Sequence, residues 1–394
     1  MSRITSLAAV AAVSAGLLVA GSVPASAHAA PHTTSHAAFH PGHHAFDPGS
    51  FVTWWHPFRS HHVKHAHTPV AGTPVTVASG LLGPLTFDVA RNGTLFVGQA
   101  FSGTLTKVDR HGTATDLVGP DGTDLAAVSV DHGTVTWNER VGDEQSVTSS
   151  VLQRRTPDGR VRQVADLLAY DAAHNPDGTT AYGFTNLPTG CTVPPDFQST
   201  GGVDSHGYGS VTVGKVTYVA DAGGNDVLRV DRRGHVSTVA VLPPKAITVT
   251  ADIAAAFGLP GCVAGATYLL EAVPTDVEVG PDGWLYVSSL PGGPEDGSFG
   301  AVGSVYKVNP RTGQVKLLAT GLAGATGLAV APDGTVFAAE LYAGDVVSIS
   351  KRGVVSPFVT LPQPAGVEWH AGKVYVSTNV LSGPVGEVVA VPVR

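Results

Sequence analysis

Histidine side chains that could bind a metal ion are concentrated near the N-terminus. Residues 28–67 contain 11 of the 17 histidines of the chain. Neutral imidazole suits zinc, copper or nickel, and a helix would align histidines that recur every four residues. The candidate metal ligands are His28, His32, His36, His40, His43 and His44. Because no Cys or carboxylate lies among them to fix a geometry, a solvated, pH-sensitive arm is the alternative to loose capture of a divalent metal.

Four acidic residues at the ends of short apolar runs could hold a catalytic metal. Glu139, Asp221 and Glu340 each follow such a run, and Asp276 begins one. Calcium and magnesium take six or more oxygen ligands, so carboxylates that converge from several strands could hold an ion beside a substrate. In the alternative interpretation, each carboxylate accepts hydrogen bonds from its own following loop.

Other signatures of catalysis are weak in this sequence. It contains no GxSxG, HExxH or P-loop pattern, which are the common motifs of serine hydrolases, zinc proteases and nucleotide-binding enzymes. His206 and His370 could act as acid or base, but the sequence indicates no positioning partner for either.

A glycine followed by alternating apolar residues recurs six times and predicts the fold. The copies begin at Gly93, Gly133, Gly214, Gly283, Gly334 and Gly372. Glycine after Asn or Asp, as in Asn92-Gly93, supplies the positive φ of a two-residue hairpin turn. Each copy therefore predicts the first hairpin of a four-stranded antiparallel unit. Six such units predict an all-β protein, a six-bladed β-propeller.

The predicted propeller spans residues 73–394 and carries two large insertions, at about residues 171–203 and 243–274. Both insertions join the outer strand of one blade to the inner strand of the next, so they should cap the same face. The last blade offers only three strands, and Pro74 to Leu81 resembles an outer strand, so this N-terminal strand should close the ring. Its Val75 and Val77 should face one way and Thr76 and Ala78 the other.

The N-terminal segments and the cysteines indicate export. Residues 1–27 have the layout of a secretory signal peptide, with Arg3, an apolar stretch and an Ala-Ser-Ala cleavage site. Residues 28–72 form a predicted disordered arm, because they bury too little apolar area to offset chain entropy. Outside the cell, the two cysteines Cys191 and Cys262, one in each insertion, are expected to form a disulfide.

Composition restricts the partners. The net charge is −8 and only 14% of residues are charged, which excludes a sequence-independent grip on nucleic acid. No stretch after the leader reaches the 18 apolar residues of a membrane span. We therefore expect a secreted monomer that contacts an extracellular ligand or protein.

Three stretches resemble a known family. The run from Tyr218 to Val230, YVADAGGNDVLRV, resembles the repeat of NHL and SMP-30-type propellers. Together with Ala165–Gly178 and Glu271–Gly283, it is similar to the ScyD/ScyE family of exported proteins, over about residues 73–394. This resemblance implies a propeller but brings no settled activity and no catalytic residues.

Two functions are compatible with these patterns. The first is a binding or scaffold module, in which apolar residues of the insertions form a lid, a ligand wall or a partner surface. These residues are Phe184, Phe197, Ile253, Phe257, Leu259 and Tyr268. The alternative, which the SMP-30 resemblance implies, is a metal-dependent lactonase or esterase at the channel mouth. Converging oxygen ligands would favour the enzyme, and a plugged apolar channel would favour the module.

Overall fold

The computed structural model describes residues 68–143, 146–294 and 296–394. The predicted signal peptide and nearly all of the His-rich arm, including the six candidate metal-binding histidines, lie outside the described residues. Within the described ranges, no helix is long and apolar enough to cross a membrane.

Short antiparallel strands make up most of the structure. The first fourteen are β1 (Val75–Leu81), β2 (Thr86–Val89), β3 (Leu95–Gln99), β4 (Thr104–Val108), β5 (Ala114–Val118), β6 (Asp124–Asp131), β7 (Thr134–Gly142), β8 (Val147–Arg155), β9 (Val161–Asp166), β10 (Ala181–Phe184), β11 (Gln198–Thr200), β12 (Gly207–Val213), β13 (Val216–Asp221) and β14 (Asp226–Val230). The others are β15 (Val236–Val241), β16 (Lys245–Thr248), β17 (Thr267–Leu270), β18 (Pro274–Val279), β19 (Leu285–Ser289), β20 (Gly303–Val308), β21 (Val315–Leu322), β22 (Ala325–Val330), β23 (Val336–Glu340), β24 (Asp345–Ile349), β25 (Val355–Thr360), β26 (Val367–His370), β27 (Lys373–Thr378) and β28 (Gly386–Pro392). Two short helices, α1 (Leu167–His174) and α2 (Ala251–Ala256), and two single 3₁₀ turns, Pro195–Phe197 and Gly261–Val263, complete the list. The all-β prediction is confirmed.

In the described part of the chain, the strands form seven four-stranded sheets. Sheets 1 to 5 are the meanders β2–β5, β6–β9, β12–β15, β18–β21 and β22–β25, and sheet 6 consists of β26–β28 and β1. The seventh, which we call the cap sheet, has the strand order β11-β10-β17-β16. The sequence indicated only six sheets. It missed the cap sheet because that sheet arises from two insertions that are distant along the chain and have no repeated hairpin glycine.

The innermost strands of sheets 1 to 6 contact one another in a closed inner ring. The contacts run from β2 to β6, β12, β18, β22 and β26, and back to β2. Glycines permit this close approach, since a Cβ on Gly327 would lie 2.4 Å from the carbonyl oxygen of Ala365, and one on Gly209 would lie 2.5 Å from Cα of Asp276. Hydrogen bonds join neighbouring strands of the ring. Ser210 Oγ, for example, donates to the carbonyl of Ala127 at 2.6 Å.

The two chain ends meet in sheet 6. Strand β1 pairs antiparallel with β28, as expected, and the bonds from Val70 N to Arg394 O and from Arg394 N to Val70 O are both 2.9 Å long. Two β-bulges interrupt this pairing, the first at Val77. The predicted two-residue alternation is therefore wrong. Val75 and Thr76 are both exposed, whereas Val77 and Ala78 both pack in the apolar cluster that β1 forms with sheet 1.

The disulfide between Cys191 and Cys262 is confirmed, with a Cα–Cα distance of 5.8 Å. It joins the segment before β11 to the segment before β17, so it fastens one insertion to the other. Closing a loop of 71 residues stabilises the folded state by about 4 kcal/mol in the chain-entropy model. Cys191 also packs against an apolar cluster of the cap sheet that includes Phe184 and Val263.

We predict that Gly327→Ala destabilises the inner ring, because the added Cβ would overlap a main-chain oxygen that cannot move aside. The melting temperature should fall by several degrees, as expected for a loss of about 1–3 kcal/mol. Gly202→Ala is the matched control, since a Cβ there meets nothing within 4 Å. Equal melting temperatures for the two variants would contradict the proposed packing constraint.

We also predict that β1 is required for a stable ring. A chain that starts at Pro84 lacks β1 and leaves the edge of β28 unpaired, whereas a chain that starts at His67 keeps the pairing. The shorter chain should melt earlier and aggregate, because an exposed strand edge pairs with other chains. Thermal unfolding and light scattering of the two chains provide the comparison, and equal stability in monomeric form would contradict the role of β1.

Candidate functional site

Apolar side chains close the central channel at the end where the inner strands begin. They are Leu85, Ala100, Tyr208, Ala222, Val273, Ala365 and Val380, and each is at most 5% exposed. Between the inner strands behind them, the free volume is about 10 Å³, which is space for roughly one water molecule. This end of the channel is therefore an apolar plug.

Two of the acidic residues predicted as channel-mouth ligands, Glu139 and Glu340, are turned toward their own sheets. Glu139 accepts hydrogen bonds from Trp137 Nε1 at 2.8 Å and from Gln153 Nε2 at 2.9 Å. Glu340 accepts from the main-chain N–H of Ala323 at 2.7 Å. These carboxylates secure strands and loops, and the structure does not bring them together around one point.

Asp221 has the same kind of surroundings. Its carboxylate accepts from Ser205 Oγ at 2.6 Å and from the main-chain N–H of His206 at 2.6 Å. The residue is 1% exposed, and burial raises its pKa. Asp221 therefore fixes the chain that enters β12.

Asp276 lies in the channel, and three further acidic residues accompany it. Its carboxylate accepts from the main-chain N–H groups of Val277 and Leu328, both at 2.8 Å. The other acidic residues are Asp88, Glu278 and Glu368 on the inner strands. Burial raises the pKa of Asp88 to about 6 and that of Asp276 to about 7, and repulsion from Asp88 contributes to the raised pKa of Asp276. Glu278 and Glu368 have pKa values raised well above the usual range, by burial and then by the other acids.

The sequence identified only Asp276 of these four residues. The signal for Glu278 was its spacing of two residues from Asp276 on the same innermost strand, which places both side chains on the channel face. Asp88 and Glu368 lie on other innermost strands, so this spacing did not reveal them. In the described residues, no three His, Cys, Asp or Glu side chains are arranged to hold one metal ion as they stand.

The two histidines that the sequence singled out lie at opposite ends of the inner strands. His206 immediately precedes β12, and His370 is the last residue of β26. His206 is 5% exposed, and its Nε2 lies 2.9 Å from Asp124 Oδ2. The sequence offered no partner for His206, because Asp124 belongs to the neighbouring sheet.

A second group of acidic residues, four of them buried and two partly buried, lies beside the cap sheet, and we call it the cap-side cluster. It consists of Asp171, Asp177, Asp204, Asp221, Asp226 and Glu271. Four of them have no hydrogen-bond partner for one Oδ1 atom, and Glu271 has none for Oε2. Burial, and then the charge of Asp221, raises the pKa of Asp171 to about 7. The cluster therefore brings carboxylates close together while several of their oxygen atoms lack a hydrogen-bond donor.

Helix α1 and its caps place part of this cluster. The side chain of Asp166 accepts from the N–H of Ala169 at 2.9 Å and begins the helix, and Asn175 ends it in the left-handed conformation with φ of 36°. Asp171 on this helix accepts from the N–H of Asp204 at 2.9 Å. Asp177, just after the helix, accepts from Tyr182 Oη at 2.9 Å.

An opening with a mostly apolar lining lies in the cap, and we call it the cap pocket. Its free volume is about 150 Å³. It is lined by Tyr182, Phe184, Asp196, Phe197, Ser199, Ile247, Val249, Ile253, Phe257, Leu259, Tyr268, Leu269, Leu270, Glu271, Gly292, Gly293 and Phe299. All six apolar insertion residues that the sequence singled out are in this lining, so they form a wall around a pocket.

Glu271 is the acidic residue at the inner end of the cap pocket. It directly follows β17 and borders both the pocket and the cap-side cluster. Burial, and then the charges of Asp177 and Asp204, raises the pKa of Glu271 to about 7. The sequence did not single out Glu271, since nothing in a linear pattern shows that a carboxylate will lack a partner.

The fold is that of known β-propellers. No protein-family model and no curated protein matches the chain. The PQQ-bound aldose sugar dehydrogenase of Streptomyces coelicolor is similar in structure, with a TM-score of 0.51, 14% identity, and coverage of 83% of this chain and 98% of that chain. A putative glucose dehydrogenase-type oxidoreductase from Thermus thermophilus has a TM-score of 0.51, 14% identity, and coverage of 81% and 99%. A gluconolactonase from Xanthomonas campestris has a TM-score of 0.49, 11% identity, and coverage of 83% and 95%. The similarities to the two dehydrogenases support a β-propeller fold.

We predict that the protein loses stability as the pH rises from about 5 to 8. The pKa values of Asp88, Asp171 and Asp276 are raised to between about 6 and 7, whereas they are about 4 in an unfolded chain. The folded state therefore keeps protons that the unfolded state releases. The stabilisation that comes from these retained protons is complete below about pH 4 and is lost as the pH rises through the folded-state pKa values.

Thermal unfolding at constant ionic strength should show a melting temperature that falls across this interval. Glu368→Gln, which removes one of the repelling channel carboxylates, should flatten the dependence and raise the melting temperature at pH 8. Glu387→Gln, in β28 outside the channel, is the control. A melting temperature that rises between pH 5 and pH 8 would contradict the raised pKa values.

Proposed function

We propose that this protein is a secreted binding module that takes a small apolar ligand in the cap pocket. The supporting observation is the contrast between two openings. The apolar plug closes the channel, where propeller enzymes of the SMP-30 type act, whereas the cap pocket is open and lined by six aromatic side chains. Concave sites with mostly apolar linings and few polar groups are typical of small-molecule binding.

The cap supports this role mechanically. The pocket wall combines strands from both insertions with Gly292, Gly293 and Phe299 of the loop between β19 and β20. The disulfide fixes one insertion to the other, and Phe257 contacts Phe299 with ring centroids 5.7 Å apart. A pocket that is held in place before binding loses less entropy when a ligand enters.

We further propose that the chain has six blades, with the cap sheet as an addition to one face. The closed ring of six inner strands and the separate strand order of the cap sheet favour this count over seven blades. The leader at residues 1–27 and the disulfide favour secretion. Similarity to the ScyD/ScyE family, a monomeric state and divalent metal binding by the His-rich arm stay predictions.

A metal-dependent lactonase or esterase is the alternative function. It would require Glu139, Asp221, Asp276 and Glu340 to converge on one ion. Their hydrogen bonds to nearby groups of their own or adjoining sheets do not favour this arrangement.

We predict that Phe257→Ala weakens the binding of a small aromatic probe to the cap pocket. The ring of Phe257 is only half-buried, so its removal should leave the fold intact while it removes apolar contact area. Affinity for 2-phenylethanol, measured by isothermal titration calorimetry, should fall about tenfold, which corresponds to about 1.4 kcal/mol.

The control for this prediction is Val213→Ala, at an exposed position in the β12–β13 hairpin away from the cap. It should bind the probe as the unchanged protein does. If Phe257→Ala and Val213→Ala bind the probe equally well, the cap pocket is not the binding site. If no apolar probe binds the unchanged protein, the proposed function is wrong.

A further inference from the structure

We propose that the cap pocket selects a small aromatic amine, with the aromatic ring among the aromatic side chains and the ammonium group against Glu271. This inference rests on the proposed function, because it requires the cap pocket to be a ligand site. It adds the charge and the orientation of the ligand. Three properties of the pocket carry it, namely its size, its charge and its unpaired carboxylate.

The size of the pocket fits a single aromatic ring. Its free volume of about 150 Å³ equals that of an engineered apolar cavity that holds benzene. The rings of Phe184 and Tyr268 meet edge to face with centroids 4.9 Å apart, and Phe197 contacts Tyr268 in the same manner at 6.5 Å. A ligand ring can join this arrangement by the same edge-to-face contacts.

The charge of the pocket fits a cation. The ionisable lining residues other than tyrosine are Asp196 at the rim and Glu271 at the inner end, and the described lining contains no Lys, Arg or His. The rest of the cap-side cluster lies behind Glu271, and Asp177 and Asp204 act on it electrostatically. The faces of the aromatic rings also attract cations. An anionic ligand would meet repulsion from every charged group of the described lining.

The carboxylate of Glu271 lacks a partner that an ammonium group could supply. Its Oε2 atom is buried and accepts no hydrogen bond, a state that costs free energy for any polar group and most for a charged one. A charge-assisted hydrogen bond from an ammonium group to this pocket-lining carboxylate would compensate its charge and reduce the repulsion from Asp177 and Asp204. A neutral ligand of the same shape would leave the carboxylate without a cation.

The test compares three probes of similar shape on the full chain. Isothermal titration calorimetry at pH 8, above the pKa of about 7 to which burial raises Glu271, measures the affinities for 2-phenylethylamine, 2-phenylethanol and 3-phenylpropionate. We expect the amine to bind at least about tenfold more tightly than the alcohol and the carboxylate probe to bind more weakly than both. Glu271→Gln should abolish the preference for the amine, whereas Glu387→Gln, which lies outside the cap, should retain it.

Each result has a separate meaning. If the amine binds no more tightly than the alcohol, the inference is wrong, while the proposed function stands. If Glu271→Gln keeps the preference, the ammonium group does not lie against Glu271 and the inference is again wrong. If none of the three probes binds, the inference and the proposed function both fail. The comparison of the three probes on the unchanged protein decides the charge preference even if Glu271→Gln does not fold.

Discussion

Close packing of the innermost strands is the constraint on which the rest of this structure depends. Gly209 and Gly327 face main-chain atoms of the next strand at distances where no Cβ would fit. The ring can therefore close tightly, and the space between the strands behind the apolar plug is about one water molecule in size. The plugged end of the channel has no room for a substrate, which is why we place the proposed ligand site in the cap that is attached to the ring.

The same packing explains the behaviour of the acidic residues. Tight inner strands bury Asp88 and Asp276, which reach main-chain N–H groups on neighbouring strands and lie close to further acids. Their pKa values rise because water is excluded, and the raised values reflect the cost of holding these carboxylates in the charged form. The raised pKa values of the channel acids are thus explained by packing. Glu271 differs from these acids because it borders an open pocket and its Oε2 atom has no hydrogen-bond partner.

Much of the fold could be predicted from the sequence because its signals are local. Hairpin glycines such as Gly93 and Gly283, both with positive φ, mark the sheets, and the two cysteines correctly indicate that the insertions lie together. The bulge at Val77 and the pairing of β10 with β17 could not be predicted, since each depends on contacts between distant segments. The apolar residues of the candidate site could be identified from the amino-acid composition of the two insertions. The role of Glu271 could not be predicted, because only the three-dimensional surroundings show whether a carboxylate oxygen has a hydrogen-bond partner.

The connection between the cap and the ring is itself strained. Val273, which precedes Pro274, has φ of 47°, a conformation that a β-branched residue adopts only when its surroundings enforce it. Asn225 enforces it through its Oδ1 atom, which accepts from the N–H of Val273 at 3.0 Å, and the Nδ2 atom of the same Asn225 donates to Asp177 at 3.0 Å. One amide side chain thus joins the cap-side cluster to the turn that separates Glu271 from the inner strand β18. This turn positions Glu271 at the pocket, so the rigid ring sets the position of the carboxylate that we propose as the partner of the ligand's ammonium group.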